Sequence, residues 1–205
     1  MHLKFYYFNF PFWRAEPCRI ALHASGIPFE DIRLSGPAFR EMKDAGELPY
    51  GQLPVLDVDG VRIAQSLGIA RFCAKLSGLY PESDLAAAKV DEIMSTADQI
   101  TALLQPSMGI KDPAKKAAHR AELAQTTLQF WLERLALRLE GEHTVLANGL
   151  TMADLILWRL FGWLTSGILD GMPTTLLEPH PKLVALCEYV EQHELVQNWR
   201  THCGA

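Results

Sequence analysis

The sequence of 205 residues has little cysteine and none of the common zinc-binding motifs. Its four cysteines have no C-x-x-C spacing, and its seven histidines form neither an H-E-x-x-H motif nor a Cys/His cluster. Because the chain also shows no secretory signal, the cysteines are expected to be reduced thiols rather than a disulfide framework. We therefore expect no structural metal ion and no stabilisation by disulfides.

Basic segments and long apolar runs are also missing. The formal net charge is -5 and the longest basic run is Lys115-Lys116, so neither nucleic acid nor an anionic membrane is an expected partner. The first residues contain no long aliphatic stretch and no small-residue cleavage pattern, which argues against a secretory signal. The longest apolar region, residues 155–169, is interrupted by Arg159 and is shorter than the ~18 to 20 apolar residues of a membrane-spanning helix. These absences favour a cytoplasmic protein that does not insert into membranes.

Hydrophobic side chains, by contrast, make up 49% of the sequence, enough for a sizeable core. Up to about residue 79, strand-like runs alternate with helical patterns in the order β-α-β-α-β-β-α. The predicted strands are residues 3–9, 29–34, 53–58 and 61–65, and the first predicted helix is 14–25. This order indicates an α/β domain.

The remainder of the sequence has helical patterns only. Turn-forming Gly, Pro and Ser residues indicate a linker, which we place at residues 80–84. At the start of the predicted helix 151–168, Thr151 and Asp154 have the spacing of a capping box. We predict two domains, residues 1–79 and an all-helical domain of residues 85–205. The predicted helical windows are 85–109, 114–141, 151–168 and 180–200.

Motifs along nearly the whole chain resemble those of the cytosolic glutathione transferases. They are "YYFNFPFWRAE", "YGQLPVLDVDG" and "AQSLGIARFCAK" in the first domain, and "LTMADLILW" and "PHPKLVALCEYV" in the second. The segments "YFN...RAE" and "VDEIMSTAD" are most similar to the Sigma class, which includes glutathione-dependent prostaglandin D synthases and lens crystallins. The resemblance implies a thioredoxin-like N-terminal domain with a mixed four-stranded sheet and an all-α C-terminal domain. It further implies that glutathione is the cosubstrate and that the helical domain contributes the electrophile site and dimer contacts.

Tyr7 is the catalytic residue that the resemblance implies, with Arg14 as an assisting cation. Strand alternation sends Tyr6 and Tyr7 to opposite faces, so only one of them can point at a ligand. A hydroxyl that donates to the cysteinyl sulfur of glutathione favours the thiolate, and a protonated arginine nearby adds to this effect. Tyr6 is the competing candidate, and the family pattern "YFN" selects Tyr7.

Five further residues are implied to hold the glutathione peptide. A cis bond before Pro54 would turn the backbone of Leu53 outward, where it could pair with an extended tripeptide like an added strand. Ser66, beside Gln65 at the start of a helix, is placed to bind the γ-glutamyl carboxylate, with a plain N-cap as the alternative. Asp98 is implied to reach across a homodimer interface to the α-amino group of the ligand in the other subunit.

Two positions near the glycyl end of glutathione, Phe39 and Gln52, depart from the family pattern. Phe39 stands where the family commonly has a Trp whose indole N–H binds the glycyl carboxylate, and phenylalanine cannot donate. Lys43 is the remaining cation in that helix, with a solvated surface charge as the alternative. Gln52 stands where many relatives carry lysine. The glycyl end is therefore expected to be held more weakly.

The loop between the first strand and the first helix is rich in aromatic residues. Phe10, Phe12 and Trp13 lie there, and we predict that they form the hydrophobic substrate site. This loop is one residue longer and bulkier than the Met-Arg-Gly of the Sigma pattern, so the substrate preference of a relative does not transfer. Cys18, about one turn into the helix, is predicted to be a buried thiol rather than a nucleophile.

The prediction is a homodimeric glutathione transferase that conjugates the glutathione thiolate to small hydrophobic electrophiles. A glutathione-dependent prostaglandin-type isomerase would use the same thiolate on another substrate. A non-catalytic binding or structural protein is the third alternative. Tyr7, Arg14, Gln65 and Ser66 favour an enzyme, because a purely structural role needs none of them.

Overall fold

A computed structural model describes residues 1–204 and contains four strands and nine helices in that range. The strands are β1 Leu3–Phe8, β2 Phe29–Leu34, β3 Val55–Val58 and β4 Val61–Ala64. The first three helices are α1 Glu16–Ala24, α2 Gly36–Asp44 and α3 Ser66–Leu76. The other helices are α4 Asp84–Met108, α5 Pro113–Gln125, α6 Thr127–Arg138, α7 Met152–Leu164, α8 Pro181–Gln192 and α9 Glu194–Cys203.

The four strands form one mixed sheet in the order β2-β1-β3-β4. Strand β1 runs parallel to β2 and antiparallel to β3, and β3 pairs antiparallel with β4. The predicted order of elements and the predicted mixed four-stranded sheet are confirmed. Strand β1 lies inside the sheet, and four of its six residues are buried, while Lys4 and Phe8 are half-buried.

Two predicted helical windows are each divided into two helices. The window 114–141 breaks at Thr126, whose φ of -120° and ψ of -90° lie outside the helical region. The window 180–200 breaks at His193, whose φ of -65° and ψ of 139° are extended. No proline or glycine marks either break, so the sequence pattern did not predict them.

The chain divides into two compact units, and the division differs from the predicted domain ranges at the C-terminus. The first unit comprises Met1–Pro81 together with the residues from Glu194 onward, and the second comprises Glu82–His193. Helix α9 groups with the first unit because Trp199 is buried there and its indole Nε1 donates to Glu16 Oε1 at 2.6 Å. The predicted domain ranges place α9 in the helical domain, whereas its contacts group it with the first unit.

Helix α7 is the most deeply buried helix of the second unit. Its start has the predicted capping box, which is confirmed: Thr151 N and Thr151 Oγ1 donate to Asp154 Oδ2 at 2.7 and 2.6 Å. Val145 N also donates to Asp154 Oδ1 at 2.6 Å. Burial raises the pKa of Asp154 to about 6, and these hydrogen bonds act in the opposite direction by stabilising the carboxylate. The box therefore joins the start of α7 to the loop before it.

Candidate active site

Three segments that the sequence singled out meet at one end of the sheet. The β1–β3 ladder ends at the pair Tyr6↔Val55, and the β3–β4 ladder ends at the pair Val55↔Ala64. Tyr7, Pro54 and Gln65 each lie one residue beyond these pairs, on three adjacent strands or the segments that continue them. The register therefore brings the predicted catalytic tyrosine, the proline segment and the start of α3 to the same edge of the sheet.

The two adjacent tyrosines face opposite sides of the sheet, as predicted. Tyr6 packs in a cluster with Leu48 and with Phe39 and Met42 of α2. Tyr7 lies on the other face, where the guanidinium of Arg19 is 5.9 Å from its ring centroid. Tyr7 is thus separated from α2 and directed toward the α1 side of the sheet.

Burial controls the protonation of Tyr7, which is only 4% exposed. Burial raises its pKa to about 12, and the charges of Arg14 and Arg19 partly offset this effect. The phenol therefore remains protonated at neutral pH. A protonated phenol is a hydrogen-bond donor, which is the property needed to stabilise a thiolate.

Arg14 is fixed beside the start of α3. Its Nη1 donates to Ser66 Oγ at 2.8 Å, and its guanidinium lies 4.3 Å from the centroid of the Trp13 ring. A cation held in this way adds to the positive potential of a helix N-terminus. The arrangement favours an anionic group at the start of α3.

Arg19 is a residue of this site that sequence reasoning missed. It is fully buried, and its Nε donates to Asp31 Oδ1 at 2.9 Å while its Nη1 donates to Glu16 Oε2 at 3.2 Å. Its Nη2 and Nη1 also donate to the backbone carbonyls of Phe8 and Phe10, at 3.1 and 3.4 Å. Arg19 therefore holds both sides of the loop that follows Tyr7. The available signal was a single arginine within the apolar segment "PCRIAL".

The start of α3 has an unusual backbone. Gln65 is the N-cap residue, and its φ of 72° is in a region that non-glycine residues rarely adopt. Ser66 is buried and is the first helical residue, so the alternative that it is a plain N-cap is wrong. A strained residue of this kind persists only where its surroundings fix it, and such residues are concentrated at ligand sites. The backbone amides of the first turn of α3, which have no partner within the helix, come directly after Gln65 in the chain.

The predicted cis peptide bond between Leu53 and Pro54 is confirmed. Leu53 lies outside the β1–β3 ladder, is half-buried and packs against the cluster around Tyr6. Gln52 before it is exposed. The side chain of Lys43 reaches this segment, since a Cβ atom on Gly51 would lie 3.3 Å from Lys43 Cε. Lys43 and Gln52 are therefore neighbours of the proline segment.

The aromatic residues after β1 form a continuous series of ring contacts. The Phe10 ring is stacked 5.8 Å from Phe8, and its centroid lies 5.6 Å from Tyr7 and 6.1 Å from Phe12. Phe10 is 47% exposed and Phe12 is half-buried, so both present apolar surface next to Tyr7. Trp13 is only 1% exposed, because it packs in the core beneath Arg14. The structure therefore does not place the Trp13 ring on an accessible pocket wall.

The remaining predicted site residues lie on α2 and α4. The Phe39 ring packs edge-to-face against Phe8, with the two ring centroids 5.3 Å apart, and Phe39 is half-buried. Asp98 lies on α4 in the second unit and is half-buried. Cys18 is buried, as predicted.

Within residues 1–204, no group of three or more His, Cys, Asp or Glu side chains is arranged to hold a metal ion. No helix in the same range is long and apolar enough to cross a membrane.

Comparisons with known proteins match both parts of this fold. Residues 3–75 match the family profile of the glutathione S-transferase N-terminal domain, and residues 99–202 match that of the glutathione S-transferase C-terminal domain. A hematopoietic prostaglandin D synthase of Gallus gallus is 32% identical over 197 residues, which cover 96% of this chain and 94% of that protein.

Solved structures give the same result. The structure of rat hPGDS complexed with a quinoline has a TM-score of 0.83 and 27% identity, and the match covers 98% of this chain and 97% of that one. A sigma class GST of Fasciola hepatica has a TM-score of 0.82 and 25% identity, with coverage of 98% and 96%. The similarity extends over both domains and includes a sigma-class protein, as the motifs predicted. This chain is a member of the glutathione S-transferase family.

Proposed function

We propose that the protein conjugates the glutathione thiolate to small hydrophobic electrophiles, with Tyr7 as the thiolate-stabilising donor. The observation that carries the proposal is the convergence of Tyr7, Pro54 and Gln65 at one end of the sheet, beside a fixed Arg14. Tyr7 is buried and protonated, Arg14 is cationic, and Phe10 offers apolar surface next to both. This combination suits a sulfur anion that attacks an apolar substrate.

The step that Tyr7 and Arg14 promote is the ionisation of the glutathione thiol. A free thiol has a pKa of ~8.5 and is only a few per cent thiolate at pH 7. Lowering this pKa by about two units requires ~2.7 kcal/mol of differential stabilisation. One charge-assisted hydrogen bond from Tyr7, together with a partly buried cation, is of that size. The proton leaves to solvent, and the thiolate then attacks the electrophile.

Glutathione would lie along the segments that meet at Tyr7. The backbone of Leu53 would pair with the peptide, while Ser66 and the first amides of α3 would bind the γ-glutamyl carboxylate, with Gln65 beside it. The glycyl carboxylate would fall near Lys43 and Gln52. Phe39 offers no donor there, because a phenylalanine side chain has none, and its ring packs on Phe8. We therefore assign the glycyl end to Lys43 and Gln52.

The electrophile would bind against Phe10 and Phe12. These two rings are the accessible part of the aromatic loop, whereas Trp13 supports Arg14 from the core. Two adjacent apolar rings favour a flat, hydrophobic substrate. Trp13 therefore has a supporting role in this proposal.

A homodimer in the cytoplasm is the form that we propose. The ammonium of the γ-glutamyl group needs an anionic acceptor, which Ser66 and backbone amides cannot supply. Asp98 of the other subunit would supply it. All four cysteines are free thiols, which suits a reducing compartment.

Two alternatives use the same fold. The Gallus gallus and rat proteins are prostaglandin D synthases, which favours an isomerase as the second candidate for this chain. A non-catalytic binding protein is the third, and the buried, functionally arranged Tyr7 argues against it.

Steady-state conjugation of a chromogenic nitroarene with glutathione tests the proposal. We expect turnover well above the uncatalysed rate. Measurable glutathione binding without conjugation of the nitroarene, and with isomerisation of a prostaglandin endoperoxide, would favour the isomerase. Binding without either reaction would favour the non-catalytic protein.

A further inference from the structure

Arg120, on α5 in the helical unit, is a buried cation without an acidic partner. It is 4% exposed. Its Nε donates to Ser107 Oγ at 2.9 Å, and its Nη2 donates to Met108 Sδ at 3.4 Å. Within residues 1–204, no carboxylate oxygen lies within 4 Å of its guanidinium nitrogens, and these two bonds are its only hydrogen bonds.

Neither partner balances the charge of this guanidinium. Ser107 is itself fully buried and donates its hydroxyl hydrogen to Leu104 O at 2.7 Å, so toward Arg120 it acts as a neutral acceptor. A thioether sulfur is a weak acceptor. Arginine stays protonated in proteins and is rarely buried unless it is paired with an anion. The site therefore has a positive charge that the described residues do not neutralise.

The two bonds also determine which edge of the guanidinium remains available. Nε and one hydrogen of Nη2 are occupied, which leaves both hydrogens of Nη1 and the second hydrogen of Nη2. Within residues 1–204, Nη1 makes no hydrogen bond. It is not fully enclosed by protein atoms, so it retains contact with solvent. Met108, 44% exposed, forms an apolar border beside this edge.

We propose that the Nη1/Nη2 edge of Arg120 binds the carboxylate of a small organic acid whose apolar part rests on Met108. The planar fork of a guanidinium matches the two oxygens of a carboxylate in a bidentate pair. The small exposed area of Arg120 favours a small molecule over an acidic side chain of another protein. This inference concerns the helical unit alone and does not rest on the proposed conjugation of glutathione.

Calorimetric titration with sodium hexanoate tests the site, with sodium chloride at the same ionic strength as the reference. We expect the wild type to bind hexanoate and Arg120→Met to bind it at least tenfold more weakly. Arg134→Met is the matched control, because Arg134 is an exposed arginine on α6 whose guanidinium lies over Phe130. Its affinity should stay within twofold of the wild type. Equal hexanoate affinity in the Arg120→Met variant would overturn the proposal.

Two measurements do not depend on the folding of that variant. Hydrogen exchange of the wild type should show that hexanoate, but not chloride, protects the amides of residues 113–125. Equal protection by both salts would show a general ionic effect and overturn the site. Acetate should bind at least threefold more weakly than hexanoate, since it lacks the apolar chain. Equal affinities for the two acids would refute the contact with Met108.

Discussion

Arg14 donates a hydrogen bond of 2.8 Å from Nη1 to Ser66 Oγ, which joins the loop after the first strand to the start of α3. The two residues are 52 positions apart in the chain. In our proposal the two residues have different roles, since Arg14 favours the thiolate and Ser66 holds the γ-glutamyl carboxylate. Their hydrogen bond couples thiolate stabilisation to carboxylate binding, because a shift of either residue changes the position of the other.

Tyr7→Phe should reduce turnover at least tenfold and leave glutathione affinity within a few-fold. Only the hydrogen bond to the thiolate is lost, while the peptide keeps its other contacts. Steady-state kinetics and calorimetry measure the two quantities. Tyr6→Phe is the control, because Tyr6 packs on the α2 face, and it should retain turnover. Loss of turnover in the control with a normal Tyr7→Phe enzyme would reverse the assignment.

Arg19→Met should destabilise the protein by roughly 3 to 5 kcal/mol, the cost typical of removing one partner from a buried ion pair. Asp31 and Glu16 would lose the guanidinium between them, and the carbonyls of Phe8 and Phe10 would lose a donor. Urea unfolding measures the change. Arg33→Met is the control, because Arg33 also bonds Asp31 but is exposed, and it should cost about 1 kcal/mol or less. Equal losses in the two variants would contradict the role of Arg19.

Gln65→Gly and Gln65→Ala separate backbone strain from ligand binding. Both remove the side chain, but only glycine adopts a φ of 72° without strain. We expect Gln65→Gly to be more stable than Gln65→Ala by about 1 kcal/mol. Glutathione affinity should fall by a similar factor in both. Thermal unfolding and calorimetry give the two values, and unchanged glutathione affinity in both variants would remove Gln65 from the site.

Asp98→Asn should weaken glutathione binding by ~1 to 3 kcal/mol, because it removes the charged partner of a partly desolvated ammonium. Calorimetric titration measures the affinity. Asp91→Asn is a matched control on the same helix face two turns earlier, and it should bind normally. A wild type that sediments as an active monomer would exclude the contribution of Asp98 from another subunit.

The attachment of α9 should weaken in mild acid. The rings of His23 on α1 and His202 on α9 lie 4.6 Å apart, and burial together with the charge of His202 lowers the pKa of His23. A pKa below the unfolded value of ~6.5 means that the unfolded state takes up the proton first as pH falls. Stability should therefore fall as pH drops below about 6.5.

Urea midpoints at pH 7.5 and 5.5 measure this effect. His202→Gln should reduce the difference between the two midpoints. His119→Gln, on α5 in the other unit, should leave it unchanged. The same pH difference in all three proteins would exclude the histidine pair as its source.

The sequence by itself determined the order of the elements and most residues of the candidate site. Period-two and helical patterns, with turn residues between them, predicted the α/β order, and the resemblance to the glutathione transferases implied the mixed sheet. Strand alternation separated Tyr6 from Tyr7, and the Thr151/Asp154 spacing predicted the capping box. These are local properties of the backbone, so neighbouring residues are sufficient to predict them.

Only the tertiary structure decided which distant residues meet. It buried Arg19 between Asp31, Glu16 and two carbonyls, placed Trp13 in the core beneath Arg14 and grouped α9 with the first unit. It also left Arg120 buried without an acid. Burial, pairing of charges and contact between segments far apart in the chain depend on the complete packing. No local pattern in the sequence contains that information.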